Sequence, residues 1–332
     1  MRVIHWPEFA SIRHQHIKII MTVKSGKYFD ILSARKAYAT GGNITETLRQ
    51  QQSLDANTSE IIEIAYDLQA GTYIDFAEQN PHQLSQYTSE IAALLDQHVV
   101  ENCSMLDIGT GELTTLSLLT KSLTRKPEHI YAFDLSWSRI YKGISFARQN
   151  MNPDLHALTC FVADMCEIPL LNKSINITTS SHALEPNGGK LKELLNELFR
   201  ITIDKLVLFE PCFECSSEEG KRRMERLGYI KNIEGVVKEL GGSVIEKVMI
   251  KDSMNPLNPT ACYVIAPAPA NSQSTEHTGS EPNIFSVPGT DFPLTRLDGF
   301  YFSNETGLCF PVLKGIPVLK SNSAILASAL CK

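Results

Sequence analysis

Carboxylates recur along this chain at the ends of short apolar runs, and their spacing is the first sign of chemistry. Met105, Leu106 and Ile108 form a buried-strand pattern that carries Asp107 inside it, followed by the turn Gly109-Thr110-Gly111. Ile130-Tyr-Ala-Phe-Asp134 reads as a second strand ending in an acid, and Thr159-Cys-Phe-Val-Ala-Asp164 as a third. Packing alone gives no reason for three successive strands to end in a carboxylate. A strand, a glycine turn and a helix place backbone N–H groups and a helix N-terminus at the carboxyl edge of a parallel sheet, where open α/β folds bind ligands. Asp107 beside that turn would repel a pyrophosphate and would suit a cation. The turn also lacks the third glycine of a dinucleotide fingerprint, since Thr114 stands there. An NAD-dependent oxidoreductase is therefore disfavoured.

A second cluster lies further on. Ser174-Ile-Asn-Ile-Thr-Thr-Ser reads as a fourth strand, followed by Ser181-His182-Ala183-Leu184-Glu185-Pro186-Asn187-Gly188-Gly189. Proline and two glycines make this a rigid loop. His182 has the proton affinity of a general base, but it also suits a loop-fixing role through the backbone, and both stay open. Leu206-Val-Leu-Phe-Glu210-Pro211 is a fifth strand ending in an acid. Glu185 and Glu210 are candidates to orient a substrate or His182, or else to cap a neighbouring helix. Asn187 is a further candidate donor.

The elements that position these residues alternate from about residue 103 to 266. Thr114 to Leu123 has helical composition. Ser136 is placed to cap a helix whose Trp137, Tyr141 and Ile144 share one face, a stripe expected in the core. Leu191, Leu194, Leu195 and Leu198 lie at core spacing on the next helix. Ser216 to Glu219 opens another, continued to Gly241-Gly242, and Val244–Ile250 with Ala261–Ala266 should close the sheet as an antiparallel pair. Upstream, a helix beginning near Asn57-Thr58, with Ser59 or Thr58 as its cap, carries Ile61, Ile64, Ala65 and Leu68 on one stripe and should stop at Gly71, and a further helix runs from Leu84 to His98. Tyr66, Gln69 and Tyr73 near that glycine either lid a cleft or bind helix to sheet.

These motifs, in this order, resemble class I S-adenosylmethionine-dependent methyltransferases. The resemblance implies a Rossmann-like α/β fold with a mostly parallel seven-stranded sheet and helices on both faces. It implies S-adenosyl-L-methionine as cofactor, with Asp107, Gly109 and Gly111 at the methionine end, Asp134 at the ribose and Asp164 near the adenine amino group; Ser181 is counted with these cofactor-binding residues. Phe133-Asp-Leu-Ser-Trp-Ser-Arg139, the Ser-His-Ala-Leu-Glu-Pro-Asn-Gly-Gly loop and Asn255-Pro-Leu-Asn-Pro-Thr260 resemble more narrowly a bacterial group often encoded among surface-polysaccharide or nonulosonate genes. That group usually has Asp where Asn176 stands. The implied function is O-methylation of a small molecule such as a saccharide intermediate, with His182, Glu185 and Glu210 as catalytic candidates. Alternatives are methylation of tRNA or protein, or a cofactor-binding regulatory or scaffolding protein without turnover.

The expected organisation is a helical extension or lid over residues 1–100, a methyltransferase domain over 101–268, a linker over 269–283 and a small module over 284–332. Gly299 to Leu319 is similar to the zinc-ribbon-like activator subunit of tRNA and protein methyltransferases, at Phe310-Pro311 and Gly315-Ile-Pro-Val-Leu319, without its cysteine pairs. No metal is expected there or at Cys212-Phe-Glu-Cys215, which lacks a second ligand pair. At 43% hydrophobic and 20% charged residues the composition is that of a globular protein. Its net charge of −6 argues against general nucleic-acid affinity; the basic run Lys221, Arg222, Arg223 and Arg226 reads as a solvated helix face. Dispersed cysteines fit a reducing cytoplasm, no apolar run reaches transmembrane length, and Met21 is an alternative start.

Overall fold

The computed structural model describes residues 31–54, 57–151, 154–253, 255–268 and 283–331. The alternative start at Met21 and nearly all of the expected linker lie outside them. The described residues fall into two compact units, one up to Leu54 and one from residue 57 onward. In the first, α1 (Ile31–Ala39) and α2 (Ile44–Gln52) form a helical pair. Asn43 caps α2 by accepting from Glu46 N at 3.0 Å.

The second unit begins with α3 (Ser59–Leu68), α4 (Thr72–Gln79) and α5 (Pro81–Leu95). There follow β1 (Ser104–Ile108), α6 (Thr114–Ser122), β2 (His129–Asp134), α7 (Trp137–Asn150), β3 (Leu158–Val162), β4 (Ile175–Ser181), α8 (Leu191–Ile201) and β5 (Thr202–Pro211). Then come α9 (Glu218–Leu227), α10 (Ile233–Glu239), β6 (Ser243–Met249) and β7 (Thr260–Ala266). The sheet order is β3-β2-β1-β4-β5-β7-β6, parallel from β3 to β5 and antiparallel at β7 and β6. This is the Rossmann-like, mostly parallel seven-stranded sheet expected from the sequence.

The central strands are apolar on both faces because both are covered, whereas the edge strand β6 is largely exposed. Met105, Ile130, Ile177, Val207 and Phe209 pack with Leu95, Leu116 and Ala147 from α5, α6 and α7. Leu106, Ile108, Phe133, Phe161 and Leu208 pack with Leu191, Leu194, Leu198 and Val237 from α8 and α10. The order of strands reverses across β1 and β4, so the carboxyl ends of β1 to β4 open into a crevice there.

Three local expectations are corrected. Gly71, at φ +108°, does follow the α3 stripe, but it also opens α4, so the chain turns into a second short helix. The helix after Ser216 does not run on to Gly241: Gly228, at φ +69°, ends α9, and Asn232 caps α10 afresh. Trp137 and Tyr141 stack at 4.7 Å, but Tyr141 is half exposed and Trp137 Nε1 donates to Leu313 O at 3.4 Å. Their stripe therefore faces the C-terminal segment and solvent.

That segment holds five strands: β8 (Thr295–Leu297), β9 (Phe300–Phe302), β10 (Leu308–Leu313), β11 (Ile316–Pro317) and β12 (Ile325–Leu326). Val318 forms a parallel bridge to Val162, and Leu319 N donates to Val162 O at 2.8 Å, so the segment covers the free edge of β3. Lys320, nearly buried, pairs with Glu63 of α3 at 2.6 Å. Phe285 meets Phe161 edge-on at 5.1 Å and Tyr301 at 5.3 Å, and Phe310 lies in the same apolar cluster. Within the segment Phe310 and Ile316 are buried, whereas Val312 and Val318 are half-buried. Among the described residues no helix is long and apolar enough to cross a membrane.

Because Phe310 shares its cluster with Phe161 of the sheet, loss of its ring should destabilise both together. Phe310→Ala is expected to cost about 3–5 kcal/mol, the usual range for emptying a buried phenylalanine site. Urea unfolding followed by far-UV circular dichroism and by tryptophan fluorescence, which Trp137 ties to the C-terminal segment, should give one coincident transition. An earlier fluorescence transition would mean that the segment melts independently.

Candidate functional site

The crevice is a cleft of about 980 Å³, solvent at its mouth included. It is lined from the carboxyl ends of β1 to β4 and from α3 and α4, with Tyr66 and Tyr73 among its walls. Asp107, Gly109, Gly111, Asp134, Asp164, Ser181, His182 and Glu185 all border it. The sequence-predicted residues therefore converge on one place, except Glu210, which stands behind the wall.

The glycine turn explains its own composition. Gly109 has φ +59°, and a Cβ there would lie 2.5 Å from Ala183 Cβ of the loop after β4. Gly111 has φ +58°, and a Cβ there would lie 2.6 Å from the Arg139 guanidinium. Any side chain would be strained by its backbone and would displace a wall of the cleft.

Each strand-end acid is held differently. Asp134 accepts from Gly111 N at 2.9 Å and Ser136 N at 2.8 Å, joining the glycine turn to the start of α7. The Ser136 hydroxyl caps α7, as expected, by accepting from Arg139 N at 3.2 Å. Asp164 accepts from Cys166 N at 2.9 Å. Asp107 is buried, and burial, with the charges of Asp134 and Glu210 nearby, pushes its carboxyl up to about 7. It is an acid that takes its charge most readily when a cation enters.

The loop after β4 is built on carboxylates too. Glu210 accepts from Ser180 Oγ, Ala183 N and Leu184 N at 2.8, 3.0 and 3.1 Å. Burial raises its carboxyl to about 7, against the opposing pull of His182. Its Oε2 is buried with no hydrogen-bond partner among the described residues. His182 sits at φ +57°, a strained conformation for a residue with a side chain. Its Nδ1 is 2.8 Å from Glu185 Oε2, and its Nε2 is 3.0 Å from Thr260 Oγ1. Asn258 Nδ2 donates to the same Glu185 oxygen at 3.0 Å. Burial lowers the imidazole's proton affinity, but the hydrogen bond and charge of Glu185, with Glu210 beyond, outweigh it and hold the pKa above the ordinary value. Ser181 Oγ and Tyr87 OH are 2.8 Å apart. Asn187 borders the cleft, and Gly188 is needed where it stands, since a Cβ would meet Tyr229 O at 2.5 Å.

Two lining residues escaped the sequence reading. Glu112, fully buried, accepts from Gly71 N and Ile74 N, both at 2.9 Å, and so caps the N-terminus of α4. Arg139 lies between the rings of Tyr66 and Tyr73, its guanidinium carbon 5.0 and 4.5 Å from their centroids. Glu112 directly follows the glycine turn and Arg139 ends a quoted motif, but their partners lie far off in sequence. Asn176 is not a site residue. It lies at the opposite end of β4, accepting from Ser104 N and Oγ and donating to Asp204 at 2.9 Å. Cys212 and Cys215 form a disulfide. The densest basic run is mixed: Arg222 and Arg226 are exposed, while Arg223 is half-buried over the ring of Tyr229.

No protein-family model matches this chain, and no curated protein matches it. Solved structures are similar at low identity. A geranyl diphosphate C-methyltransferase from Streptomyces coelicolor A3(2), in complex with Mg2+, geranyl diphosphate and S-adenosyl-L-homocysteine, is 11% identical with a TM-score of 0.44, over 53% of this chain and 78% of that one. A magnesium protoporphyrin IX methyltransferase from Synechocystis with bound SAH is 12% identical at 0.44, over 72% and 100%. A SAM-dependent methyltransferase from Methanosarcina mazei is 13% identical at 0.44, over 53% and 97%. No residue role is transferred from them.

The Asp107 environment has a consequence for stability. Its folded pKa lies above its unfolded value of about 3.9, so its favourable share is complete below that value and is lost as pH rises toward about 7. Asp107→Asn should therefore gain on the wild type between about pH 4 and pH 7, by on the order of a few kcal/mol, and level off above. Urea titrations across that window would show it, and a difference independent of pH would refute the assignment.

Proposed function

We propose that this chain is an S-adenosylmethionine-dependent methyltransferase that methylates a hydroxyl of a small molecule, with a surface-saccharide intermediate as the acceptor class. The observation that carries the reading is the meeting of Asp107, Asp134 and Asp164 around one cleft whose floor is a side-chain-free glycine turn. A cofactor that is both a ribonucleoside and a cation suits that donor set. Asp107 faces its positive charge, Asp134 its ribose hydroxyls and Asp164 the adenine amino group. When bound, the cofactor supplies a methyl group already activated for in-line attack, so positioning provides much of the acceleration.

The acceptor side is the loop from Ser181 to Asn187. Ser181, His182, Glu185 and Asn187 border the cleft and offer a polyhydroxylated acceptor a mixed set of donors and acceptors. His182 takes the hydroxyl proton. Glu185 fixes its ring through Nδ1, and the acceptor hydroxyl replaces Thr260 at Nε2. Glu210 acts from behind, holding the amides of Ala183 and Leu184 so that the loop keeps its place. Residues 284–332 serve as an in-chain counterpart of an activator subunit, a role supported by their packing on β3 and their ion pair with α3.

Calorimetry should detect S-adenosylhomocysteine, and Asp134→Ala should weaken it by roughly 1.5–3 kcal/mol through lost charged hydrogen bonds. Binding of NAD without response to adenosyl compounds would sink the reading. With labelled cofactor and a panel of nucleotide sugars, His182→Ala should lower transfer at least about a hundredfold while leaving cofactor affinity nearly unchanged. The wild-type rate should rise with pH along a limb above the ordinary histidine value of about 6.5, because the folded pKa is raised. By the same sign, the stability that His182 contributes is complete below its unfolded pKa and lost as pH climbs through the folded one. Near-normal transfer by a folded His182→Ala variant would remove it as the base.

A further inference from the structure

The cleft is unevenly charged. Asp107, Glu112, Asp134, Asp164 and Glu185 line it, and among the described lining residues Arg139 is the one lysine or arginine. Arg139 as a whole is only 7% exposed. Glu112 Oε1 approaches its Nε at 3.7 Å and Asp134 Oδ2 its Nη1 at 3.9 Å, close enough to balance charge but too far for hydrogen bonds. Both carboxylates are already committed, Glu112 to the amides of Gly71 and Ile74, Asp134 to those of Gly111 and Ser136. Arg139 Nε is buried with no hydrogen-bond partner among the described residues. A buried guanidinium with unspent donors carries an uncompensated desolvation cost. Tyr66 and Tyr73 keep it in place by contact with their ring faces, an interaction that consumes none of its N–H groups.

Its location identifies what would use those donors. The guanidinium stands directly over Gly111, on the turn that also carries Asp107 at its base. We propose that Arg139 receives the carboxylate of the cofactor's α-amino acid end, an inference that rests on the methyltransferase reading above. An amino acid group in this cleft brings an ammonium that the acids welcome and a carboxylate that they repel, and Arg139 resolves the second. The planar fork offers paired N–H donors to a carboxylate, which a lysine at the same place would not reproduce. Arg139 thereby selects a complete amino acid tail over a truncated or decarboxylated one.

The test compares ligands as well as variants. Calorimetry would use S-adenosylhomocysteine, its decarboxylated analogue that keeps the amine, and 5′-methylthioadenosine. Wild-type protein should bind the decarboxylated analogue roughly 10–100-fold more weakly than S-adenosylhomocysteine, the usual loss for a charged hydrogen-bonded partner. Arg139→Gln should weaken S-adenosylhomocysteine by a similar factor and leave the two tail-deficient ligands within about threefold of wild type, while Arg139→Lys recovers only part of the loss. If Arg139→Gln weakens all three alike, the residue is a strut for the tyrosine lid and the proposal falls. Equal wild-type affinity for the first two ligands overturns it without any variant, even if Arg139→Gln fails to fold. Wild-type protein that binds none of the three overturns the methyltransferase reading itself, a failure distinct from loss of carboxylate selectivity alone.

Discussion

Buried carboxylates must find donors, and most of this site follows from how four of them do so. Asp107, Glu112, Asp134 and Glu210 are all under 9% exposed at one edge of the sheet. Ionised groups held so close together in a dry interior repel one another and lose hydration. Three are relieved by backbone amides: Glu112 takes the first turn of α4, Asp134 the glycine turn and the start of α7, Glu210 the loop after β4. Each relief fixes a wall of the cleft. Asp107 is left without such a pair of amides, and its pKa near 7 records the debt. A positive charge brought beside Asp107 would lower that pKa, whereas a further carboxylate there would raise it.

The sequence carried the scaffold well because scaffold signals are local. Apolar runs set the strands, Ser136 and Thr58 cap the helices named for them, and acids at strand ends declared the ligand edge. What it missed depends on pairs distant in the chain. Nothing near Glu112 shows that its partners are Gly71 and Ile74, and nothing near Arg139 shows that Tyr66 and Tyr73 flank it. Gly71 was misread for a simpler reason: a positive-φ glycine after a helix is the ordinary terminator, and here the same residue also starts the next helix. The Trp137 stripe was misplaced because a helix face that meets another module has the composition of a core. Asn176 attracted notice by departing from a resemblance, yet it only ties the starts of β1, β4 and β5 at the far end of the sheet.

The C-terminal segment reaches the site through backbone rather than through any catalytic side chain. Leu171 N donates to Ile284 O at 2.9 Å and Ser286 N to Pro169 O at 3.0 Å, so its first residues pair with the stretch that follows Asp164. Arg200 holds the same stretch from the other side, donating to Ile168 O and Leu170 O at 2.7 Å each. At the far end of the segment, Lys320 binds Glu63, one turn before Tyr66 on α3. A lysine that buried would be costly without its partner, so the docked segment and the position of α3 are mutually dependent. The stretch after Asp164 and the tyrosine-bearing helix are therefore both braced by residues beyond 283. Edge protection of β3 and bracing of the cleft come from neighbouring residues of one segment: Val318 and Leu319 cover β3, and Lys320 beside them holds α3.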